Sequence, residues 1–376
     1  MIIDGNKTRS ISTNVSLIII SSIITLLITE GILRFILPQN LNGSWFVSTE
    51  KGLLVNKSSG TAQHQHGKRI VRYTFYEPNL RDTPIRKTGI RILVVGDSST
   101  FGWLLDKESA YIYHLQEYTD DEFGIGTFQY LNASVGGWGT SDYVAYVEDF
   151  GNIVKPDIVL VFFNGNDIRR SVNRGIYTLS GKNKLELNRH ILKPAKIKNI
   201  VNSTPGYQWS IENSHLIQFA KKSVLAMQYN SKIKKQRKGN EILMQGPASF
   251  ELDISREKAS SLGIALFKRL KDWCDNNSVF LYVTTTGWFD LSDAETSKEP
   301  AKAFLYVAHD FFKEINIPFF DISPAVYGKV KEMPGEFIIH GDGHPNENGS
   351  KLIADMSWQL FIRKQLHEYC SMRRCN

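Results

Sequence analysis

Five short hydrophobic runs constrain the fold of this chain more than any other feature of its sequence. Each run has five or six residues, is largely aliphatic or aromatic, and is bounded by Gly, Pro, Asn or Asp on at least one side. A parallel strand that is buried on both faces has this composition. The runs are residues 90–95, 128–133, 158–163, 279–284 and 318–322.

Helical patterns lie between these runs and after the last one. They cover residues 110–118, 141–153, 256–274, 301–315 and 349–368. Strands that alternate with helices predict a doubly wound α/β fold: a mostly parallel, five-stranded sheet with helices on both faces. In such a fold, ligand-binding groups lie at the carboxyl ends of the strands.

Two segments depart from the alternation. Residues 38–88 are polar and irregular, and we expect a linker that leads into the folded domain. Residues 168–251 predict an insertion, with an amphipathic stretch over 209–229 and then a basic cluster. The cluster consists of Lys232, Lys234, Lys235, Arg237 and Lys238. Such clusters are most often solvated, and contact with anionic lipid or polysaccharide is the alternative. No nucleic-acid-binding module is recognisable, so we expect no nucleic-acid partner.

An apolar stretch near the start of the chain predicts a membrane-spanning helix. Every residue from 15 to 29 is aliphatic or a small hydroxyl residue, and apolar residues continue to 37. A spanning helix needs about 20 residues, so residues 15–37 form a transmembrane signal-anchor. Glu30 and Arg34 are spaced to pair on one helical face. A cleaved signal peptide and a buried core helix are the alternative interpretations.

The charges that flank the apolar stretch predict its orientation. Lys7 and Arg9 precede it, so the positive-inside bias places residues 1–14 in the cytoplasm and the rest of the chain on the extracytoplasmic side. The net charge of +7 is only weak evidence for an anionic partner. Three cysteines are too few for a disulfide framework. Cys370 and Cys375 could pair in an oxidising compartment, although we favour free thiols.

A serine follows the first run in a turn that suits a nucleophile. Ser98 lies in the segment Gly-Asp-Ser-Ser, directly after a buried strand and where a helix can begin. Helix-end N–H groups at such a position stabilise developing negative charge. A helix cap is the alternative function of the same Asp-Ser-Ser residues.

The next two runs end in segments that can supply hydrogen-bond donors. Gly137 lies in a stretch with three glycines in four residues, which lets a substrate approach a bare backbone N–H. Asn166 lies in the segment Asn-Gly-Asn-Asp, where its amide can donate into the same space. Each segment, taken alone, is more typical of a tight turn.

A histidine near the C-terminus is a candidate general base. His344 lies in the segment Gly-Asp-Gly-His-Pro-Asn, with Asp342 two residues before it in the same loop. A carboxylate so close can hold the imidazole in one orientation. Asp321, at the end of the fifth run, is the second candidate for this carboxylate, although a turn cap suits it better. No metal or cofactor is implied, since His309 and His340 lack ligands at metal spacing.

Together these four segments resemble the SGNH hydrolases, the GDSL-like esterase and lipase superfamily, over about residues 88–365. The resemblance implies that Ser98 is the nucleophile and His344 the general base. It also implies that Gly137 and Asn166 complete an oxyanion hole with the Ser98 N–H. The usual acid of the family lies three residues before the histidine, where this chain has Gly341. Asp342 takes that role only with the spacing of some branches of the family. The apolar helix before the domain resembles the membrane-anchored bacterial members.

We therefore expect a hydrolase domain over residues 89–368, with a C-terminal tail over 369–376. The expected function is an exported, membrane-anchored serine esterase that acts on small O-acyl esters, with a glycan O-acetyl group as the substrate by analogy. The expected partners are an ester-bearing small molecule or surface glycan, and a lipid bilayer through the N-terminal helix. An acyltransferase that modifies a surface polysaccharide, or a catalytically silent binding protein of the same fold, is the alternative.

Overall fold

The computed structural model describes residues 5–164, 166–180, 184–188, 191–192, 195–238, 256–287, 300–373 and 375. Twelve strands lie in this part of the chain. They are β1 (Phe46–Ser48), β2 (Leu54–Asn56), β3 (Gly60–His66), β4 (Arg69–Tyr76), β5 (Leu80–Arg81), β6 (Ile90–Val95), β7 (Phe128–Asn132), β8 (Ile158–Phe163), β9 (Tyr177–Ser180), β10 (Lys184–Leu187), β11 (Phe280–Thr285) and β12 (Phe319–Phe320).

The described residues also form fourteen α-helices. They are α1 (Gly5–Ile36), α2 (Ser98–Phe101), α3 (Tyr111–Phe123), α4 (Thr140–Val154), α5 (Asp167–Arg174), α6 (Lys196–Ser203), α7 (Tyr207–Asn213), α8 (His215–Lys238), α9 (Arg256–Asn276), α10 (Pro300–Glu314), α11 (Ser323–Val330), α12 (Pro334–Phe337), α13 (Glu347–Ser357) and α14 (Arg363–Arg373). A π-helical segment, Trp358–Ile362, connects α13 to α14.

The main sheet has eight strands in the order β12-β11-β8-β6-β7-β5-β4-β3. The five predicted runs supply β6, β7, β8, β11 and β12, and these strands pair in parallel. The expected count of five strands for the whole sheet is wrong. Strands β3, β4 and β5 extend it with antiparallel pairs, and they come from residues 38–88, where we expected only a linker.

The parallel strands are apolar throughout because both faces of the sheet are covered. In β8, Val159, Val161 and Phe163 pack into one hydrophobic core with residues of α4, α9 and α10. The alternate residues Leu160 and Phe162 pack on the other face with residues of α3, α11, α13 and α14. A doubly wound sheet therefore has no polar face, which explains why its strands read as continuous hydrophobic runs.

Arg81 ties the antiparallel extension to the parallel strands. Its side chain is 1% exposed and lies over the rings of Tyr73 and Phe101. It donates hydrogen bonds to the carbonyls of Phe101, Gly102 (2.7 Å) and Leu105 (2.7 Å). Its charge is paired with Asp82 at 2.6 Å. The extension thus holds the loop that follows α2, and Val71, Tyr73 and Phe75 of β4 pack with Phe101 of α2 in a third hydrophobic core.

Helix α1 begins ten residues before the predicted span. Within it, Thr13–Ile36 is long and apolar enough to cross a membrane, with a mean hydropathy of 2.2, and none of it is buried. A signal sequence would meet the same criteria of length and composition. The predicted pairing of Glu30 with Arg34 is present at 3.1 Å.

Two further expectations concern the insertion and the C-terminus. Within 168–251 the structure forms the hairpin of β9 and β10 and the helices α6, α7 and α8, whereas residues 239–251 lie outside the described residues. The basic cluster lies at the end of α8. Cys370 and Cys375 form a disulfide, so our preference for free thiols is wrong. The chain turns back after α14 and brings the two Cα atoms within 4.8 Å.

Candidate active site

The turn after β6 presents Ser98 at the carboxyl edge of the sheet. Gly96 precedes it, and a Cβ atom there would lie 2.0 Å from the Thr100 hydroxyl, so only glycine fits. The Asp97 carboxylate caps α2 by accepting the Ser99 N–H at 2.8 Å. Ser98 is therefore the first residue of the helix, and Ser99 already lies inside it.

Ser98, His344 and Asp342 form a continuous chain of hydrogen bonds. The Oγ of Ser98 lies 2.8 Å from Nε2 of His344, and Nδ1 of His344 lies 2.5 Å from Oδ1 of Asp342. If the Nδ1–H donates to the carboxylate, Nε2 is left free to accept the serine proton. This arrangement activates a serine hydroxyl for nucleophilic attack.

The loop that carries the histidine and the aspartate is folded back on itself. The Ile339 N–H donates to the His344 carbonyl at 2.8 Å, and the Asp342 N–H donates to the Ile339 carbonyl at 3.1 Å. Gly341 and Gly343 adopt φ values of 75° and 91°, which other residues rarely adopt. Both side chains consequently converge on one side of the loop.

The electrostatics of the pair favour an ionised Asp342. Burial raises the pKa of this carboxyl, but the hydrogen bond and the charge of His344 outweigh burial and hold its pKa below the usual value. Asp342 therefore stays negative wherever His344 is neutral, and it can stabilise the imidazolium that forms when His344 takes a proton.

Three hydrogen-bond donors on the loops around Ser98 have no partner among the described residues. They are the N–H of Ser98, the N–H of Gly137 and the Nδ2 of Asn166. Gly137 has φ 81° and lies in the loop after β7, while Asn166 is exposed and immediately precedes α5. Neither forms a hydrogen bond with Ser98 within the described structure. Their shared property is that each keeps a donor available for a ligand.

Arg170 connects the loops that carry these donors to the serine turn. Its guanidinium donates to Asp97 at 2.7 Å, to the Trp138 carbonyl at 3.1 Å and to Asp167 at 3.4 Å. Asp97 precedes Ser98, Trp138 follows Gly137, and Asp167 follows Asn166. One side chain thus joins the ends of β6, β7 and β8.

The pKa values of this network reflect burial. Burial and the neighbouring charge of Asp97 raise the pKa of Asp167 well above its usual range. Hydrogen bonds from the Asn164 N–H and the Tyr143 hydroxyl, both at 2.7 Å, offset the cost of burying the Asp167 carboxyl group. The two carboxylates raise the pKa of Arg170 although its burial opposes them, so this cation stays charged at every relevant pH.

Two rings, Trp103 and His64, lie beside His344, and we call them the aromatic wall. The Trp103 ring lies 5.6 Å from the imidazole, centroid to centroid, and packs edge-on against His64 at 4.4 Å. Burial lowers the pKa of His64 to about 4, so its ring stays neutral, and its Nδ1 lies 2.7 Å from the Tyr73 hydroxyl. A side chain at Gly136 would approach Trp103 to 2.7 Å. The wall therefore leaves the loop before Gly137 room only for glycine.

Asp321, the second candidate for the acid, is engaged elsewhere. Its Oδ1 accepts the Thr285 hydroxyl at 2.6 Å and the Ser323 N–H at 2.8 Å. These contacts confirm the predicted turn cap at the start of α11. Among the described residues, no group of three or more His, Cys, Asp or Glu side chains is placed to hold a metal ion.

The sequence did not lead us to predict a role for Arg170 or for the aromatic wall. An indication of Arg170 exists, because an acid and an arginine three residues apart at the start of a helix are neighbours on its surface. The wall has no such local pattern. His64 lies in the lead-in and reaches the site only because β3 joins the main sheet.

The two candidate carboxylates can be separated with matched variants. We expect Asp342→Asn to slow the labelling of Ser98 by a fluorophosphonate probe by on the order of 10² or more, because the imidazole loses its orienting carboxylate. Asp321→Asn keeps an oxygen for the cap and should label at the rate of the unmodified protein. The measurement is the rate of probe incorporation. A slow Asp321→Asn variant beside a normal Asp342→Asn variant would show that the wrong carboxylate is assigned.

Comparisons with known proteins give no close relative. No family model matches the chain, and no curated protein matches it. Solved structures resemble it weakly. TesA is 13% identical over 71% of this chain and 96% of that one, with a TM-score of 0.39. The psychrotrophic esterase EstA from Pseudoalteromonas sp. is 14% identical over 74% and 98%, with a TM-score of 0.40. A catalytic mutant of an acetylxylan esterase from Geobacillus stearothermophilus is 14% identical over 73% and 95%, with a TM-score of 0.40. Similarities this weak leave activity to rest on the geometry of the site.

Proposed function

We propose that this chain is an exported, membrane-anchored serine ester hydrolase of the SGNH type that acts on small O-acyl esters. The observation that carries the proposal is the chain of hydrogen bonds from Ser98 through His344 to Asp342, at 2.8 and 2.5 Å. A structural serine has no need of an imidazole that is itself oriented by a carboxylate. Nucleophilic catalysis requires this combination.

The reaction has two steps. The Ser98 oxygen attacks the ester carbonyl while His344 takes the serine proton, and His344 then donates that proton to the departing alkoxide. Water attacks the acyl-enzyme with His344 as the base, and the carboxylic acid leaves as Ser98 regains its proton. Asp342 stabilises the imidazolium in both steps.

The negative oxygen of each tetrahedral intermediate needs donors that are already in place. The N–H groups of Ser98 and Gly137 and the side-chain Nδ2 of Asn166 are available for this role, since none of these three donors has a partner among the described residues. Arg170 links their three loops, so the donors need little reorganisation when charge develops.

The proposed substrate class is a small acyl ester, with an acetyl group on a surface glycan as the specific case. Trp103 and Phe46 are half-buried beside the site and offer ring faces on which an apolar sugar face would pack. The proposed extracytoplasmic position of the domain would bring such glycans within reach. The disulfide between Cys370 and Cys375 supports this position, since disulfides persist in oxidising compartments.

Variants of adjacent serines test the nucleophile. Ser98→Ala should lower the hydrolysis of a p-nitrophenyl acetate substrate by on the order of 10³ or more, because nucleophile and base act as a unit. Ser99→Ala is the matched control. It should keep most of the activity, since the neighbouring hydroxyl has no contact with His344. Activity that survives in Ser98→Ala and disappears in Ser99→Ala would overturn the proposal.

The oxyanion role of Asn166 predicts a specific kinetic signature. Removing one such donor costs about 3 kcal/mol of transition-state stabilisation, so Asn166→Ala should lower kcat by roughly 10². KM should change little, and the circular dichroism spectrum should stay that of the folded protein. A change confined to KM would instead make Asn166 a binding residue.

The orientation of the chain can be tested with reporters fused after Asn376. We expect alkaline phosphatase to be active in this fusion, because Lys7 and Arg9 hold the N-terminus in the cytoplasm. A green fluorescent protein fused at the same position is the control and should be dark if the fusion is exported unfolded. Bright fluorescence with inactive phosphatase would reverse the proposed topology.

A further inference from the structure

Helix α6 contacts the protein through two asparagines and leaves its isoleucines exposed. The Asn199 side chain accepts a hydrogen bond from the Ser48 N–H at 3.1 Å and donates one to the Ser48 carbonyl at 2.7 Å. The Asn202 side chain donates to the carbonyl of Phe46 in the same strand, β1. Ile197 and Ile200 are 80% and 66% exposed. A helix on the surface of a soluble domain normally has the reverse arrangement.

The same apolar exposure continues along α7 and α8. Trp209 on α7 is 70% exposed, and Phe219, Leu225 and Met227 on α8 are also exposed. The three helices are adjacent, because α7 packs against both α6 and α8. Exposed apolar residues concentrated on adjacent elements mark a surface that binds a partner. We call Ile197, Ile200, Trp209, Phe219, Leu225 and Met227 the exposed apolar surface.

The start of α8 is fixed to the end of the apolar helix α1. The Glu30 carboxylate accepts the N–H groups of His215 and Leu216 at 3.0 and 2.9 Å and the Ser214 hydroxyl at 2.8 Å. It thereby caps α8 from another element. The Gln39 N–H donates to Nδ1 of His215 at 2.8 Å. When α1 spans a bilayer, these bonds place the first turns of α8 where the span leaves it.

The positive charge of residues 196–238 favours an anionic partner. Residues 196–238 contain nine Lys or Arg residues and one acidic residue, Glu212, a net charge of +8. The whole chain has a net charge of +7, so the remainder is slightly acidic. Apolar side chains combined with many basic residues on a helix are typical of binding to anionic lipid at the membrane interface.

We propose that α6, α7 and α8 form a membrane-docking surface that binds an anionic phospholipid bilayer beside the anchor. The exposed apolar surface enters the interface, and the described basic residues of α6 and α8 contact the lipid phosphates; they are Lys196, Lys198, Lys221 and Lys222. The domain is then held at two places, by α1 and by this surface. Such attachment keeps Ser98 at a constant height above the bilayer and selects substrates close to the membrane. The inference depends on α1 as an anchor and is independent of the proposed hydrolase activity.

Quenching of Trp209 by brominated lipids tests this surface in the full-length protein. The chain is reconstituted into vesicles of brominated phosphatidylcholine, either alone or with an equal part of phosphatidylglycerol. The chain has seven tryptophans, so the contribution of Trp209 is obtained as the difference from Trp209→Phe. We expect strong quenching of this contribution in the anionic vesicles, weaker quenching in the neutral ones, and a decrease at high salt.

Paired variants provide the control. The double variant Ile197→Ser, Ile200→Ser should lose the quenching. The double variant Ile125→Ser, Ile153→Ser removes two other exposed isoleucines, 91% and 60% accessible, one in the turn before β7 and one on α4, and should behave like the unmodified chain. Probe labelling of Ser98 in the same vesicles should be equal in both variants, which separates this inference from the proposed function.

Several results would overturn the docking surface. These are an unquenched Trp209 in anionic vesicles, equal quenching in both lipids, or full quenching in the Ile197→Ser, Ile200→Ser variant. An unquenched Trp209 with concentration-dependent self-association would assign the surface to a second copy of the chain. Failure of the chain to float with either kind of vesicle would refute the anchor and the surface together.

Discussion

The ion pair between Arg170 and the buried carboxylate of Asp97 is the interaction on which the site depends. Its 2.7 Å contact joins α5 to the turn that presents Ser98, and the same guanidinium reaches the Trp138 carbonyl. Removal of Arg170 would leave the buried charge of Asp97 without this partner, which is destabilising. The ends of three parallel strands are therefore coupled, and Ser98, Gly137 and Asn166 lie on loops that one side chain connects.

The antiparallel extension has a second, less direct influence on the site. Strands β3, β4 and β5 bring Arg81 under the loop that follows α2, and this loop carries Trp103 to the His344 ring. His64 of β3 packs edge-on against Trp103, and its ring stays neutral because burial lowers its pKa. The lead-in is thus part of the wall beside the nucleophile, and its loss would affect both the core and the approach of substrate.

The apolar helix α1 is connected to the candidate active site by a short stretch of chain and by hydrogen bonds. Glu30, near the end of α1, caps α8, and β1 follows only nine residues after α1 ends. Helix α6 packs on β1 through Asn199, and the side chain of Phe46 in β1 lies beside Gly136 and Trp103. As the proposed anchor, a helix connected in this way would restrict the orientation of the domain as well as its location. The proposed docking surface would complete that restriction.

Local sequence was sufficient wherever the chemistry depends on neighbours in the chain. Continuous hydrophobic runs predicted the five parallel strands, because burial on both faces leaves no polar alternation. Asp342 and His344 are two residues apart, and the flanking glycines permit the loop that joins them. The same reasoning failed for β3, β4 and β5, whose polar residues resemble a linker and whose apolar partners lie far along the chain. Only the tertiary structure decided that Arg170 joins three strand ends and that Ser98 lies against His344 across 246 residues. Such contacts are set by the packing of the sheet, and no local pattern of residues encodes them.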